Sequence, residues 1–414
     1  MSFAKDKTAW AIVLFFALWF NCFNFYVFAD WAMKLGEIKE LIFLSITIVL
    51  FKSILISVKS KGIDRNVAQL LLMSIFSMFI AFAFWNQSAY SSLRAVCNTM
   101  FPLTTFFILK HYKVSLESIV KAIIIICVIH GLLQIIGTIT FPNQLFGYVS
   151  EEAIERSLSD LEHRGVLRLA IPGSDFVPMT IFMVMVLGKK TKTWYLLLIP
   201  LFIILIMRGT RTPFFFTSLI CLLYYIMGIK RKFLVFVAVL FAYVLLNTVY
   251  ESLLASTDDN VIVNYVQMTH NQIESNNSGD EDIRVRMSKY YLFDFNKDNI
   301  LKNVFGNGIP GNRGAYANKV NYMSANLGYW IVDVGLVEIF VYFGFVGLLI
   351  YFNLFRKAIM NKCSEAGMFA KLSIIYYYLI LPTNSMLISN PIPVALALYT
   401  LYLSQKNTCF KSIK

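Results

Sequence analysis

The residues best suited to chemistry in this sequence are a small set of arginines that flank apolar runs. Arg208 and Arg211 sit in MRGTRTPFFF, Arg284 and Arg286 in DEDIRVRMSKYY, and Arg164 and Arg168 in LEHRGVLR. A guanidinium is permanently charged and presents a fork of donors that matches phosphate oxygens. Beside lipid it is costly unless it faces a polar cavity or snorkels to headgroups. Arg284 and Arg286 are two apart, so on a helix they splay by about 200°. Arg286 and Tyr290 are four apart and share a face. Acids that could serve as a base are Asp282, with Asp280 and Glu281 beside it, then Asp333, Glu338 and Asp175. The four histidines include no pair with metal-ligand spacing, and the six cysteines form no CxxC. No metal and no cofactor are therefore expected.

Other constellations are missing. The sequence has no GxSxG, HExxH, P-loop or GxGxxG. Its glycine-rich stretch FGNGIPGNRG, with Gly306, Gly308, Gly311 and Gly314, follows no strand. It reads as a turn, the alternative being a loop whose amides approach a phosphate.

The elements that must hold these residues are apolar. Of 414 residues, 58% are hydrophobic, 16% aromatic and only 15% charged, with a mean hydropathy of +0.64. A water-soluble domain carries about 25% charge. Apolar runs appear at 9–29, 39–58, 68–86, 92–110, 117–141, 169–188, 193–207, 212–229, 232–250, 329–353, 368–386 and 392–404. About 20 such residues cross a bilayer core, and there the backbone must satisfy itself as helix. The expected fold class is therefore all-α, a polytopic transmembrane bundle of about twelve spans. Residues 1–250 hold helices one to nine, 251–328 form a large extracytoplasmic loop with two or three short helices, and 329–414 hold helices ten to twelve. The first run lacks an A-x-A-like end and is expected to stay as a helix.

Charge sets the orientation. With the N-terminus inside, the inner loops collect Lys52, Lys59, Lys61 and Arg65, Lys110 and Lys113, Lys189, Lys190 and Lys192, Lys230, Arg231 and Lys232, and Arg356, Lys357 and Lys362. The tail adds Lys406, Lys411 and Lys414. Both termini are then cytoplasmic by the positive-inside rule. The net charge of +13 follows from this topology and from contact with anionic membrane lipids, and needs no nucleic acid. The arginines named above fall on the outer side, against the bias.

RGTRTPFFF resembles the arginine-bearing turn of the O-antigen ligase and polymerase superfamily. IRVRMSKYYLFDFNKDNILKNVFGNGIPG is similar to its loop signature, an arginine and an aromatic four residues on, then a Gly-x-Gly after a short amphipathic helix. DVGLVEIFVYFGFVGLLIYF resembles the helix that follows, with its Gly-x-x-Gly. The likeness covers about residues 195–355. Ligases of this superfamily bring a His-Asn to the start of that helix, whereas here Trp330 to Asp333 stand there without histidine, which favours a Wzy-type polymerase. The resemblance implies a bacterial inner-membrane glycosyltransferase that joins undecaprenyl-diphosphate-linked oligosaccharide units into a surface polysaccharide. A chain-length regulator would be a further partner. It implies catalytic roles for Arg211, Arg286, Asp333 and Asp282, with Arg208, Arg284, Arg168, Arg164 and Tyr290 on the diphosphate. The other readings are a ligase that transfers glycan to lipid A core and, in a different class, a flippase for the lipid-linked oligosaccharide.

Overall fold

A computed structural model describes residues 6–24, 29–143, 145–146, 171–188, 192–208, 211–227, 282–297 and 299–411, with isolated positions between them. Arg164, Arg168, Asp280, Glu281, the apolar run 232–250 and the side chain of Arg211 lie outside the described residues. What is described is helical, with no strand among the described residues.

The helices are α1 (Lys7–Trp19), α2 (Ala29–Val58), α3 (Ile63–Trp85), α4 (Ala89–Thr99), α5 (Thr105–His111), α6 (Leu116–Thr140), α7 (Phe176–Leu187), α8 (Leu198–Met207) and α9 (Arg211–Met227). Three short ones follow, α10 (Ile283–Lys289), α11 (Ile300–Phe305) and α12 (Ala315–Leu327). The chain ends with α13 (Gly335–Met360), α14 (Met368–Leu379) and α15 (Pro391–Lys411). Four segments, Ile38–Val58 in α2, α3, α6 and α13, are long and apolar enough to cross a membrane. A fifth arises if Ala89–Thr99 and Phe101–His111, bent by 52°, count as one span. The bend falls at Pro102, whose ring removes an amide donor from the helix.

Several runs read as single spans are shorter or shifted. The run at 169–188 becomes helical only from Phe176, because Gly173 takes a φ of +94° in the preceding turn. The run at 329–353 starts with a 3-10 turn, Ile331–Asp333, and continues as α13 to Met360. The run at 392–404 extends through α15 to Lys411.

Helix ends meet in two layers. At one end Lys110 pairs with Asp64 at 2.7 Å, and Lys121 with Glu117 at 2.9 Å and Asp6 at 3.3 Å. Ser364 bonds Ser404 at the same end. At the other, Trp85 and Gln87 meet the glycine-rich loop, and Asn390 meets Asp175. The lysine ion pairs thus collect at the end of the bundle that starts with Asp6. Between the layers lies a continuous apolar core rich in buried aromatics, among them Phe16, Phe106, Phe176, Phe182, Tyr376 and Tyr399.

Candidate functional site

The end of the bundle opposite Asp6 carries two polar constructions that differ in kind. The first is the glycine-rich loop. α13 breaks at Gly344, which adopts a φ of +63° and leaves carbonyls without amide partners one turn earlier. The loop supplies them: Asn307 N–H donates to Val341 O at 2.8 Å, and Gly308 N–H to Tyr342 O at 3.0 Å. The approach requires two glycines. A Cβ on Gly306 would stand 2.4 Å from Tyr342 O, and one on Gly344 would stand 2.4 Å from Gly306 N. Both also hold φ values, +83° and +63°, that favour glycine.

Asn307, fully buried, ties the loop to its surroundings. Its Nδ2 donates to Asn296 Oδ1 at 3.0 Å and Val341 O at 3.1 Å, and its Oδ1 accepts from Trp85 Nε1 at 3.0 Å. Trp85 stacks on Tyr316 with ring centroids 4.7 Å apart, and Tyr316 donates its hydroxyl to Gly308 O at 3.0 Å. The Lys302 ammonium lies 4.1 Å from the Trp85 ring centre, and Lys319 lies 4.3 Å from that of Phe295. The loop's amides are committed to α13 and, at Gly311, to Gln87 Oε1 at 2.9 Å. FGNGIPGNRG is thus a turn fixed on α13 and Gln87 through the amides of Asn307, Gly308 and Gly311.

The second construction is a polar cluster inside the bundle. Asp175 stands immediately before α7, and its Oδ1 lies 2.9 Å from Nη1 of Arg208, the residue that ends α8. This is an ion pair by distance, without the alignment of a hydrogen bond. Asn390, just before α15, donates its Nδ2 to the other carboxylate oxygen. His130 Nδ1 lies 3.0 Å from Pro172 O, in the same turn as Asp175. His130 is ten residues before the end of α6 at Thr140, so the turn sits about 15 Å below that end. α7 itself has 12 residues, or about 18 Å against a bilayer core of about 30 Å. The ion pair is thus set into the bundle. Tyr376 and Tyr377 of α14, which packs on α7, are each 1% exposed. Neither tyrosine hydroxyl has a hydrogen-bond partner among the described residues.

The remaining sequence candidates lie on the surface of α10 and the turn before α13. Arg284 and Arg286 are both exposed. Asp282 caps α10, its Oδ1 accepting the Arg284 amide at 2.7 Å. Asp333, in the 3-10 turn, has its carboxyl pushed up by partial burial and pulled down by the Arg284 charge. Tyr290 packs on Tyr329, Tyr291 and Phe295. Arg208 and Asp175 are thus brought together, while Arg284 acts on Asp333 through its charge alone. No hydrogen bond or ion pair among the described residues joins the two groups. Glu338 is 2% exposed in the first turn of α13, and its Oε2 has no hydrogen-bond partner among the described residues. Sequence reasoning passed over Asn390, Tyr376 and Tyr377; IIYYYLI is indistinguishable from lipid-facing aromatic sequence.

No cluster of three His, Cys, Asp or Glu side chains that could hold a metal ion occurs among the described residues. No family model, no curated protein and no solved structure matches this chain.

Proposed function

We propose that the chain is a Wzy-type polymerase of lipid-linked oligosaccharides at the outer face of a bacterial inner membrane, with about twelve spans and both termini cytoplasmic. The observation that carries the reading is the order of motifs: an arginine turn, an arginine–tyrosine loop segment ending in Gly-Asn-Gly, and a helix with Gly344 and Gly347. Its physical counterpart is that the Gly-Asn-Gly turn seats on the break at Gly344. Asp333 stands in the turn that leads into that same helix.

In this reading a hydroxyl oxygen of the acceptor unit attacks the anomeric carbon of the donor glycan. The bond from that carbon to the diphosphate oxygen breaks, and undecaprenyl diphosphate leaves with the bonding electrons. The hydroxyl proton passes to a carboxylate, for which Asp333 and Asp282 are the candidates, or to water. Charge that develops on the diphosphate calls for fixed cations. Arg211 and Arg286 serve there, with Arg208, Arg284, Arg168, Arg164 and Tyr290 around them. No nucleotide is consumed, because the energy resides in the glycosyl-phosphate bond.

The flippase reading would draw on the buried Arg208–Asp175 pair, since ionisable groups within a bundle often mark a transport path. Deletion of the gene separates the two. Loss of a polymerase leaves single repeat units at the outer surface, and loss of a flippase leaves them facing the cytoplasm. The site is tested by Arg211, which opens α9. Arg211→Ala should abolish long chains at unchanged protein level, and Arg211→Lys should lose most of them, because lysine lacks the fork. Removal of one fixed charge stabiliser costs about a hundred- to thousand-fold in rate. A ladder of normal length from Arg211→Ala would remove this residue from the site.

A further inference from the structure

α3 and α13 together measure depth in the bundle. Lys357 Nζ, near the end of α13, lies 3.5 Å from Lys61 O just before α3, so the two helices share a level at the end that starts with Asp6. An apolar core of about 30 Å, or about 20 helical residues, reaches from there to about Ala83 on α3 and about Val337 on α13. Against that edge the chain between Phe295 and Gly311 goes down and comes back. Phe295 is still beside Trp85, with ring centroids 6.1 Å apart. Further on, the carbonyl of Val304 closes on Gly344, Gly306 meets the backbone of Tyr342 and Phe343, and Gly308 lies against Ser77 O and Ala81. At a rise of about 1.5 Å per residue these three points lie about 10, 8 and 6 Å below the edge. By Gly311 the chain is back at Gln87, whose Oε1 its amide reaches at 2.9 Å.

The chemistry of the segment fits that depth. Non-helical backbone is tolerated at membrane depth only where protein buries and satisfies it. Gly306, Asn307, Gly308 and Ile309 are buried, and Val341 O and Tyr342 O take the amides of Asn307 and Gly308. Of the two polar side chains on α11, Lys302 carries its ammonium up to 4.1 Å from the centre of the Trp85 ring, as a snorkelling lysine does. Asn303 keeps its side-chain oxygen buried. The exposed flank of α11 is apolar, with Ile300 75% and Leu301 51% exposed. Phe305, at the far end of α11, packs edge-on against Phe76 with ring centroids 5.8 Å apart. Phe76 begins an exposed stripe on α3 that continues through Phe79 and Phe82, and α3 is long and apolar enough to cross a membrane. We propose that α11 and the glycine turn form a re-entrant element, which enters the leaflet at the end opposite Asp6 and presents Ile300 and Leu301 to its acyl chains. The segment 251–328 is then not wholly an aqueous loop. A ligase or a flippase would need the same element, so it stands or falls apart from the polymerase reading.

Spin labels read this depth in the full-length protein in liposomes. A nitroxide is attached at Leu301→Cys. Phe79→Cys on the exposed face of α3 and Arg313→Cys, exposed beyond the glycine turn, are the references. Wild-type protein treated in the same way gives the background of the native cysteines. Relaxation by oxygen, which concentrates in hydrocarbon, is compared with relaxation by a nickel chelate, which stays in water. The Leu301 label should follow Phe79, with oxygen the stronger relaxant, and the Arg313 label should show the reverse. Ile300→Cys repeats the measurement at a second exposed position should Leu301→Cys fail to fold. Stronger relaxation by nickel at these α11 positions would overturn the proposal, by placing the helix in water. Weak relaxation by both agents would also overturn it, by assigning the face to a second copy of the chain or to another protein.

Discussion

The glycine clasp and the buried ion-pair cluster occupy the same end of the bundle, yet they settle their polar groups in opposite ways. The Asn307 side-chain amide uses both donors and its acceptor, and carbonyls freed at Gly344 are taken up by loop amides, although Nδ2 of the neighbouring buried Asn296 has no partner among the described residues. Around Arg208 a salt bridge is made, and the hydroxyls of the buried Tyr376 and Tyr377 have no partner among the described residues. A fully satisfied network rigidifies and defines a unique arrangement, while a half-satisfied one costs stability unless a ligand completes it. The Asn307 amide therefore fixes the loop on α13, whereas the second region keeps more groups that nothing among the described residues completes. Glycine richness read as a turn, but the sequence does not display which amides that turn engages.

The comparison can be broken most forcefully at the clasp. Gly344→Ala places a Cβ within 2.4 Å of backbone on the glycine loop and at a left-handed φ. It should cost on the order of 2–4 kcal/mol and lower the yield of folded protein, read by thermal melting in detergent. Melting equal to wild type would mean that loop and helix do not meet as described.

Next in size is Asn307→Ala. It strips partners from Trp85 Nε1, Asn296 Oδ1 and Val341 O, and should cost about 2 kcal/mol. Any activity lost should follow stability. Activity lost at unchanged stability would contradict a purely structural role for Asn307.

The smallest effect is expected at Asp333. Burial holds its carboxyl above the ordinary aspartate range despite Arg284. A raised folded-state value means that the charged form is disfavoured on folding. Stability at this position is therefore fully present at acidic pH and declines as pH rises through the raised value. Asp333→Asn should then raise the melting temperature slightly at neutral pH and leave it unchanged below the aspartate range. A destabilising effect at neutral pH would show that the carboxylate has a partner worth more than its desolvation.

Much of the helical architecture was legible because apolar runs of spanning length have few other solutions. The lengths were less legible. A run such as 169–188 does not reveal that Gly173 turns the chain inside the bundle and shortens the helix to Phe176–Leu187. The order of the arginine turn, the Gly-Asn-Gly and the Gly344 helix was readable, and two of these pack together. The pairing of Arg208 with Asp175 was not, since no periodicity links two residues in separate turns. For the same reason Asn390 gave no signal, although it holds the other oxygen of that carboxylate.

The most direct measurement is reconstitution. Purified protein in liposomes receives lipid-linked repeat units extracted from the deletion strain, with no nucleotide and with divalent ions chelated. The account expects chains of many repeats to form and undecaprenyl diphosphate to appear in step with each linkage. Units that stay single, or that polymerise only when Mg²⁺ or Mn²⁺ is restored, would contradict an arginine-based polymerase.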